Sequence, residues 1–270
     1  MSVNSVSSST HPELSIILPC YNEEKNLPEV LSRYASVLKG SEINAELLLV
    51  DNGSTDNSAQ VIASELKKPE YFFARTTKVE KNIGYGYGVV SGLRSAHGEF
   101  LAYSHADQQC DAGDVIAAYK KLKSSANQNS QKTLVKGDRI GRSPFLSVMF
   151  LALSNFLFLN LGQFNDINGQ PKVFHRTLLA LMHNPEPPND FNLDFYVQYV
   201  ALRSGFSVAT VPVNFLERKH GVSNWSASLS SRIRTVIGYV LYLFRLKFWC
   251  YSNPRKSCET FLSSYIANND

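Results

Sequence analysis

Apolar positions in the first half of the chain fall into short unbroken runs separated by stripes of helical spacing. Leu14 to Leu18, Leu47 to Val50 and Phe100 to Tyr103 are the runs, and apolar stretches of that length without polar alternation read as strands covered on both faces. Between them, Leu27, Val30, Leu31, Tyr34 and Leu38 share one side of a helix, as do Val61, Ile62 and Leu66, and then Val89, Val90, Leu93 and Ala96. Asn26-Leu27-Pro28-Glu29 has capping-box spacing with proline in the first turn, which predicts where the first helix starts. A further strand is predicted near Tyr71 to Ala74. The alternation implies an α/β fold with a mainly parallel sheet flanked by helices and right-handed crossovers. Such a sheet gathers Tyr21, Asn22, Asp51 and Asp107 at one edge.

The second half is less regular. A helix from Val115 to Leu122 and a polar loop from Ser124 to Lys132 lead to a strand ending at Lys136-Gly137-Asp138-Arg139. Phe145 to Leu161 is apolar except for Ser147, Ser154, Asn155 and Asn160. That approaches the length of a membrane span, but the interruptions favour a buried or interfacial helix. Asp166 to Phe174 reads as a turn entering a strand, Leu193 to Leu202 as a helix and Val208 to Phe215 as the last strand. Val236 to Tyr251 is a second apolar stretch, and Arg245 and Lys247 within it suit a helix lying on a bilayer rather than crossing it.

A chain of 270 residues with 44% hydrophobic side chains can bury one large core. Its four cysteines, Cys20, Cys110, Cys250 and Cys258, lack any C-x-x-C spacing, which points to structural thiols in a reduced compartment. The first dozen residues are Ser-rich with no apolar core, so residues 1–12 are expected to be a disordered leader and the protein cytoplasmic. The net charge is only +4, yet no acid lies between Arg218 and Cys258, where Arg218, Lys219, Arg232, Arg234, Arg245, Lys247, Arg255 and Lys256 all fall. With so much apolar surface beside it, this charge suits an anionic membrane or a phosphate-bearing lipid better than nucleic acid.

The chemistry concentrates where the run Phe100 to Tyr103 breaks into His105, Asp107 and Gln109. Open α/β sheets hold ligands beyond the carboxyl ends of their strands. Period-2 alternation would aim all three side chains one way, at a divalent cation or a polyphosphate, unless the stretch is simply a polar loop. Gly84 to Gly88 has neither P-loop nor G-x-G-x-x-G order. Its glycines either permit close packing or let a nucleotide lie against a helix start. Asp51 could meet a ribose or base, or cap a helix.

Taken in order, Leu18-Pro19-Cys20-Tyr21-Asn22-Glu23-Glu24, Val50-Asp51-Asn52-Gly53-Ser54-Thr55-Asp56, Asn82-Ile83-Gly84-Tyr85-Gly86 and His105-Ala106-Asp107 resemble family 2 glycosyltransferases of the GT-A fold. Gly137-Asp138-Arg139, Asp166-Ile167-Asn168-Gly169 and Arg218 to Trp225 resemble later signatures of the branch typified by dolichyl-phosphate mannose synthase. The resemblance implies a GT-A domain over residues 13–225, with a nucleotide-binding half at 13–111 and an acceptor half at 112–225. A basic amphipathic segment at 226–270 follows. Pro19, Tyr21, Asn22 and Glu23 would border the nucleotide, with Asp51 at its base or ribose and Gly84 beneath it. Asp107, with Gln109 nearby, would hold Mg²⁺ or Mn²⁺ against the diphosphate. Arg139, Arg218 and Ser223 would meet the phosphate of a polyprenyl-phosphate acceptor.

Two departures from that pattern stand out. His105 replaces the first carboxylate of the usual D-x-D, leaving its imidazole as a metal ligand, a donor to the diphosphate or a packing group. Asn168-Gly169-Gln170-Pro171-Lys172 replaces small-Gly-aromatic-Arg, with Lys172 expected to supply the missing cation to the acceptor phosphate. The implied activity is inverting transfer from a UDP- or GDP-sugar to a polyprenyl phosphate by a protein peripheral to the membrane. The alternatives are a carbohydrate acceptor, with Asp190 or Asp194 as general base, and a catalytically silent nucleotide-sugar binder.

Overall fold

In a computed structural model the described residues are 11–124, 130–141, 145–216, 218–219 and 229–252. The strands are β1 (Leu14–Cys20), β2 (Ala45–Asp51), β3 (Ala74–Lys78), β4 (Phe100–Tyr103), β5 (Thr133–Arg139), β6 (Lys172–His175) and β7 (Ser207–Val213). They form one seven-stranded sheet in the order β3-β2-β1-β4-β6-β5-β7. All neighbours pair in parallel except β6, which runs antiparallel to both β4 and β5. The helices are α1 (Leu27–Lys39), α2 (Ser58–Glu65), α3 (Tyr85–Ser95), α4 (Ala112–Ser124), α5 (Phe145–Leu157), α6 (Arg176–Leu181), α7 (Leu193–Arg203) and α8 (Leu229–Ser252).

Successive strand residues feed opposite layers. Ile17, Leu48, Leu101 and Phe174 face a core shared with α3, α7 and α8. Ile16, Leu47, Leu49 and Val173 face a second core with α1 and α4. Burial on both faces explains the unbroken apolar runs. The fourth run behaves differently: Pro69–Tyr71 forms a 3-10 turn and the strand begins only at Ala74. As the sheet edge, the partly exposed Ala-Arg-Thr-Thr-Lys segment needs no apolar pattern, so the aromatic residues before it mislead.

The chain leaves β1 for β2 and β3 on one side and returns to β4 on the other, so the crevice between the ends of β1 and β4 is a topological switch point, where ligands bind in open α/β sheets. The α1 start differs from the capping-box expectation. Asn26 makes no side-chain cap; its amide is held by Glu23 and Gln108 instead.

Late in the chain, α5 and α8 pack against each other. The α5 helix ends at Leu157 rather than Leu161, because Asn155 binds both the N–H and the carbonyl of Phe164 (2.8 and 3.1 Å) and turns the chain back. The α8 helix starts before Val236 and passes through Arg234 without a break. Phe150 and Tyr239 pack at 4.8 Å, and Lys247 donates to the Leu157 carbonyl at 2.5 Å. Leu243 and Leu246 of α8 are buried, whereas Ile233, Ile237, Leu241, Phe244, Phe248 and Tyr251 recur every three or four residues along an exposed stripe. No helix among the described residues is long and apolar enough to cross a membrane. The leader through residue 10, Ser223, and Arg255, Lys256 and Cys258 lie outside the described residues.

Candidate active site

Parallel pairing of β1 with β2 and β4 brings the loops after Cys20, Asp51 and Tyr103 to one edge. The first two loops are stitched together. Asn22, in the left-handed region at φ 58°, accepts from the Thr55 N–H at 2.9 Å, and the Ser58 hydroxyl accepts from the Glu23 N–H at 2.9 Å. Pro19 and Tyr21 are half-buried beside them. Asp51 is buried and accepts from the Ser54 N–H at 2.9 Å, bracing the turn before α2. Burial raises the Glu23 carboxyl and Asp107 adds repulsion, against the Asn26 hydrogen bond.

The glycine stretch is a packing device. A Cβ on Gly84 would lie 2.1 Å from the Asn189 oxygen, one on Gly86 2.3 Å from the Pro188 oxygen and one on Gly88 2.7 Å from the Asn52 amide. Asn52 also donates to the Gly84 carbonyl at 3.0 Å. These contacts seat the segment before α7 against the start of α3, where the sequence alone left packing and nucleotide contact both open.

Strand geometry ends at Tyr103, and Gln108 takes φ 63°, so His105, Asp107 and Gln109 do not alternate onto one face as the period-2 reading expected. Asp107 is buried, accepting from the Gln109 N–H at 3.1 Å with one carboxylate oxygen and from Arg218 with the other. The Gln109 side chain donates to the Leu216 carbonyl at 3.2 Å, and the Leu216 N–H donates to the Gln109 carbonyl at 2.9 Å. This pairing carries the segment after β7 over the loop that follows β4 and brings Arg218 onto Asp107. His105 enters an aromatic column: Tyr85 is stacked over it at 6.1 Å and Phe215 meets it edge-on at 6.2 Å. Phe191 stacks on Tyr85 at 5.2 Å, and the Arg139 guanidinium lies 5.5 Å above Phe215.

Arg139 is held by a fork of bonds to Asp166, the shortest 2.5 Å. Burial works to raise the Asp166 carboxyl, but Arg139 outweighs it and leaves it below its usual range. Close backbone packing sets this corner, since a Cβ on Gly137 would sit 2.0 Å from the Gln170 oxygen.

Lys172 corrects its expectation. It is fully buried, and its ammonium donates to Asp194 at 2.6 Å and to the Gly169 carbonyl at 3.2 Å, so it is committed inside the core rather than offered to a phosphate. Burial lowers this ammonium and the Asp194 carboxylate opposes the shift. The same Asp194 oxygen, Oδ1, also accepts from Tyr103 at 3.0 Å and Gln170 at 2.8 Å; the carboxylate is buried, and its ion pair opposes its taking a proton from an acceptor hydroxyl. In the sheet register Tyr103, Lys172 and Lys136 stand in one row. Lys136 is fully buried and donates to the Gly137 carbonyl at 2.9 Å. Burial and the neighbouring Lys172 pull it down to about 8.

Among the described residues no three His, Cys, Asp or Glu side chains gather as a metal cage. The donor set around Asp107 is one carboxylate plus the Gln109 amide oxygen. That suits an oxygen-seeking divalent ion whose remaining ligands come from a diphosphate and water. His105 is engaged by rings on two sides. Tyr85 lies within the motif Asn82 to Gly86, whereas Phe191 and Phe215 belong to no sequence motif.

The fold is of the GT-A type, and residues 15–177 match the Glycosyl transferase family 2. The chain belongs to that family and is a glycosyltransferase. It is 23% identical over 214 residues to a dolichyl-phosphate beta-glucosyltransferase of Trichomonas vaginalis, covering 76% of this chain and 66% of that protein. It is 24% identical over 239 residues to the dodecaprenyl-phosphate galacturonate synthase of Rhizobium johnstonii, covering 87% and 68%. The chain thus spans about two thirds of the length of these relatives. Glucosyl-3-phosphoglycerate synthase from Mycobacterium tuberculosis, solved with Mn²⁺, UDP and glucosyl-3-phosphoglycerate, superposes with a TM-score of 0.61 at 19% identity, covering 86% of this chain and 80% of that one.

Proposed function

We propose that the chain transfers a hexosyl group, with inversion, from a UDP- or GDP-sugar to a polyprenyl phosphate at a membrane surface. The observation that carries this reading is the meeting of Asp107 with Arg218, with Arg139 close by on Phe215. One carboxylate for a cation and two guanidiniums for phosphates suit a reaction between a diphosphate leaving group and an anionic nucleophile. Pro19, Tyr21, Asn22, Glu23 and Asp51 would frame the nucleotide, and Gly84 would shape the floor beside it. Asp107 and Gln109 would hold Mg²⁺ or Mn²⁺, which when bound neutralises charge on the departing diphosphate.

A phosphate oxygen is already anionic at neutral pH, so it needs orientation more than deprotonation. Arg139, braced by Asp166, is pre-aimed, and an arginine fork matches phosphate oxygens in pairs. Arg218 is the movable partner: it leaves Asp107 for the acceptor phosphate as substrates bind. The commitment of Asp194 to Lys172 weakens the carbohydrate-acceptor alternative, leaving exposed Asp190 as its remaining base. The exposed stripe of α8, with Val148, Met149 and Phe156 of α5, would rest on the bilayer where the lipid tail lies.

The test is transfer of radiolabelled sugar from UDP- and GDP-donors into organic-extractable polyprenyl phosphate, with Asp107→Ala as control. Label in the lipid phase that vanishes in the variant supports the reading. Label confined to water-soluble glycans overturns it.

A further inference from the structure

Beside the catalytic loop lies a concavity that the sequence motifs do not touch. A cleft of about 280 Å³ separates the segment before α7 from the first turns of α8, with Asp190, Phe191, Asn192, Arg234 and Tyr239 on its walls. Ligand pockets usually begin at roughly 300 Å³, so this one suits a single sugar ring and is too small for a nucleotide.

Its position relative to Asp107 is fixed by two independent connections. The first is the aromatic column, in which Phe191 lies on Tyr85 and Tyr85 lies over His105, two residues before Asp107. The second is backbone: the Tyr87 N–H donates to the Asn189 carbonyl at 3.1 Å, and Gly84 and Gly86 leave no room for a Cβ against Asn189 and Pro188. The wall therefore cannot drift from the loop that would hold the diphosphate.

The lining has the chemistry of a sugar site. Phe191 remains 41% exposed although Tyr85 stacks on it, leaving apolar surface for the C–H face of a pyranose. The Asp190 carboxylate is steadied by Asn192 through bonds of 2.8 and 2.9 Å and presents acceptors. Across from it, exposed Arg234 enters no ion pair among the described residues and presents donors. A carboxylate acceptor and an aromatic surface on the segment before α7, with a guanidinium donor on α8, match the hydroxyls and the apolar face of a hexose.

We infer that this cleft holds the hexosyl ring of the donor, with Phe191 as its stacking platform and Asp190 and Arg234 setting which sugar is accepted. The inference rests on the nucleotide-sugar reading above and assigns its sugar subsite.

Calorimetric titration with UDP, UDP-glucose, GDP and GDP-mannose in Mn²⁺ tests it on the wild type, Phe191→Ala, Phe191→Tyr and Arg234→Ala. Phe191→Ala is expected to bind the free diphosphate like the wild type but the matching nucleotide sugar about tenfold more weakly, and Phe191→Tyr to restore binding. Arg234→Ala is expected to narrow the difference between the preferred sugar and the other. Unchanged melting temperatures of the variants exclude misfolding. Equal loss of diphosphate and nucleotide sugar in Phe191→Ala, or loss of neither, overturns the subsite while leaving the transferase reading intact. A wild type that binds none of the four ligands overturns both.

Discussion

Arg218 rests on Asp107 across 111 residues of sequence, so the residue expected to meet the acceptor phosphate neutralises the residue expected to hold the cation. A guanidinium and a divalent ion compete for the same carboxylate oxygen. Arg218→Ala should therefore bind Mn²⁺ about tenfold more tightly in the absence of substrate, the equivalent of roughly 1.4 kcal/mol for a charge-assisted bond. The same variant should lose most of its lipid-phosphate transfer. Manganese titration followed by electron paramagnetic resonance checks the first outcome, and unchanged affinity would mean the ion binds elsewhere.

The buried pair of Lys172 and Asp194 predicts a large asymmetry between single and double changes. Asp194→Asn leaves an ammonium in the core without its carboxylate and should cost about 3–5 kcal/mol in urea unfolding. Lys172→Met combined with Asp194→Leu should regain much of that loss, because the desolvation of both charges disappears together. A double variant as unstable as the single one would show that the network's other bonds, to Tyr103 and Gln170, carry the stability.

Lys136 gives the fold a dependence on pH. Its ammonium is near 8 when folded against an ordinary 10.5, so the unfolded chain binds more protons between those values and stability rises with pH across that window. The burial penalty is complete below about pH 8. Lys136→Met should stabilise the protein at pH 7 by on the order of 3 kcal/mol and flatten the rise above pH 8. Melting temperatures measured from pH 7 to 10 decide this.

Gly137 is constrained by backbone rather than by side chains, with the Gln170 oxygen 2.0 Å from a prospective Cβ. Gly137→Ala must separate β5 from the turn before β6 and should cost about 3 kcal/mol. It should also spread the Arg139–Asp166 fork, so transfer falls further than folded fraction does. Equal falls in the two would indicate a purely structural role.

The exposed stripe of α8 predicts flotation with anionic liposomes. Leu241→Glu and Phe248→Glu should each weaken binding by tenfold or more, since a buried Leu or Phe contributes about 1.5–3 kcal/mol, and neither should change the melting temperature. High salt should weaken the wild type, as Arg245 and Lys247 lose their attraction to the surface. Failure of the wild type to float at any salt removes the interfacial role.

Much of this architecture is legible in residue order because β1, β2 and β4 are buried on both faces and so cannot hide their apolar runs. Edge strand β3 carries no such demand and is placed too early, near Tyr71 to Ala74 rather than Ala74–Lys78, and the six-residue α6 escapes detection. The antiparallel insertion of β6 depends on contacts remote in sequence, and no local pattern reports strand direction. The same division runs through the candidate site. Asn22, Asp51 and Asp107 sit in motifs that mark them, while Phe191 lies in a polar, proline-rich connection outside any motif and Tyr239 in a stretch that reads as apolar packing. Lys172 was misjudged because a lysine in an acceptor motif looks like a phosphate ligand until Asp194, 22 residues on, is seen to claim it.

Because α8 turns a greasy flank outward and lends Arg234 and Tyr239 inward, one helix carries two separable duties. Substitutions along the outer flank can retune residence on a lipid surface without disturbing sugar choice, and changes at the inner positions can do the reverse. A relative with new donor preference but unchanged membrane habit would need to alter only the inner side of that rod's first turns.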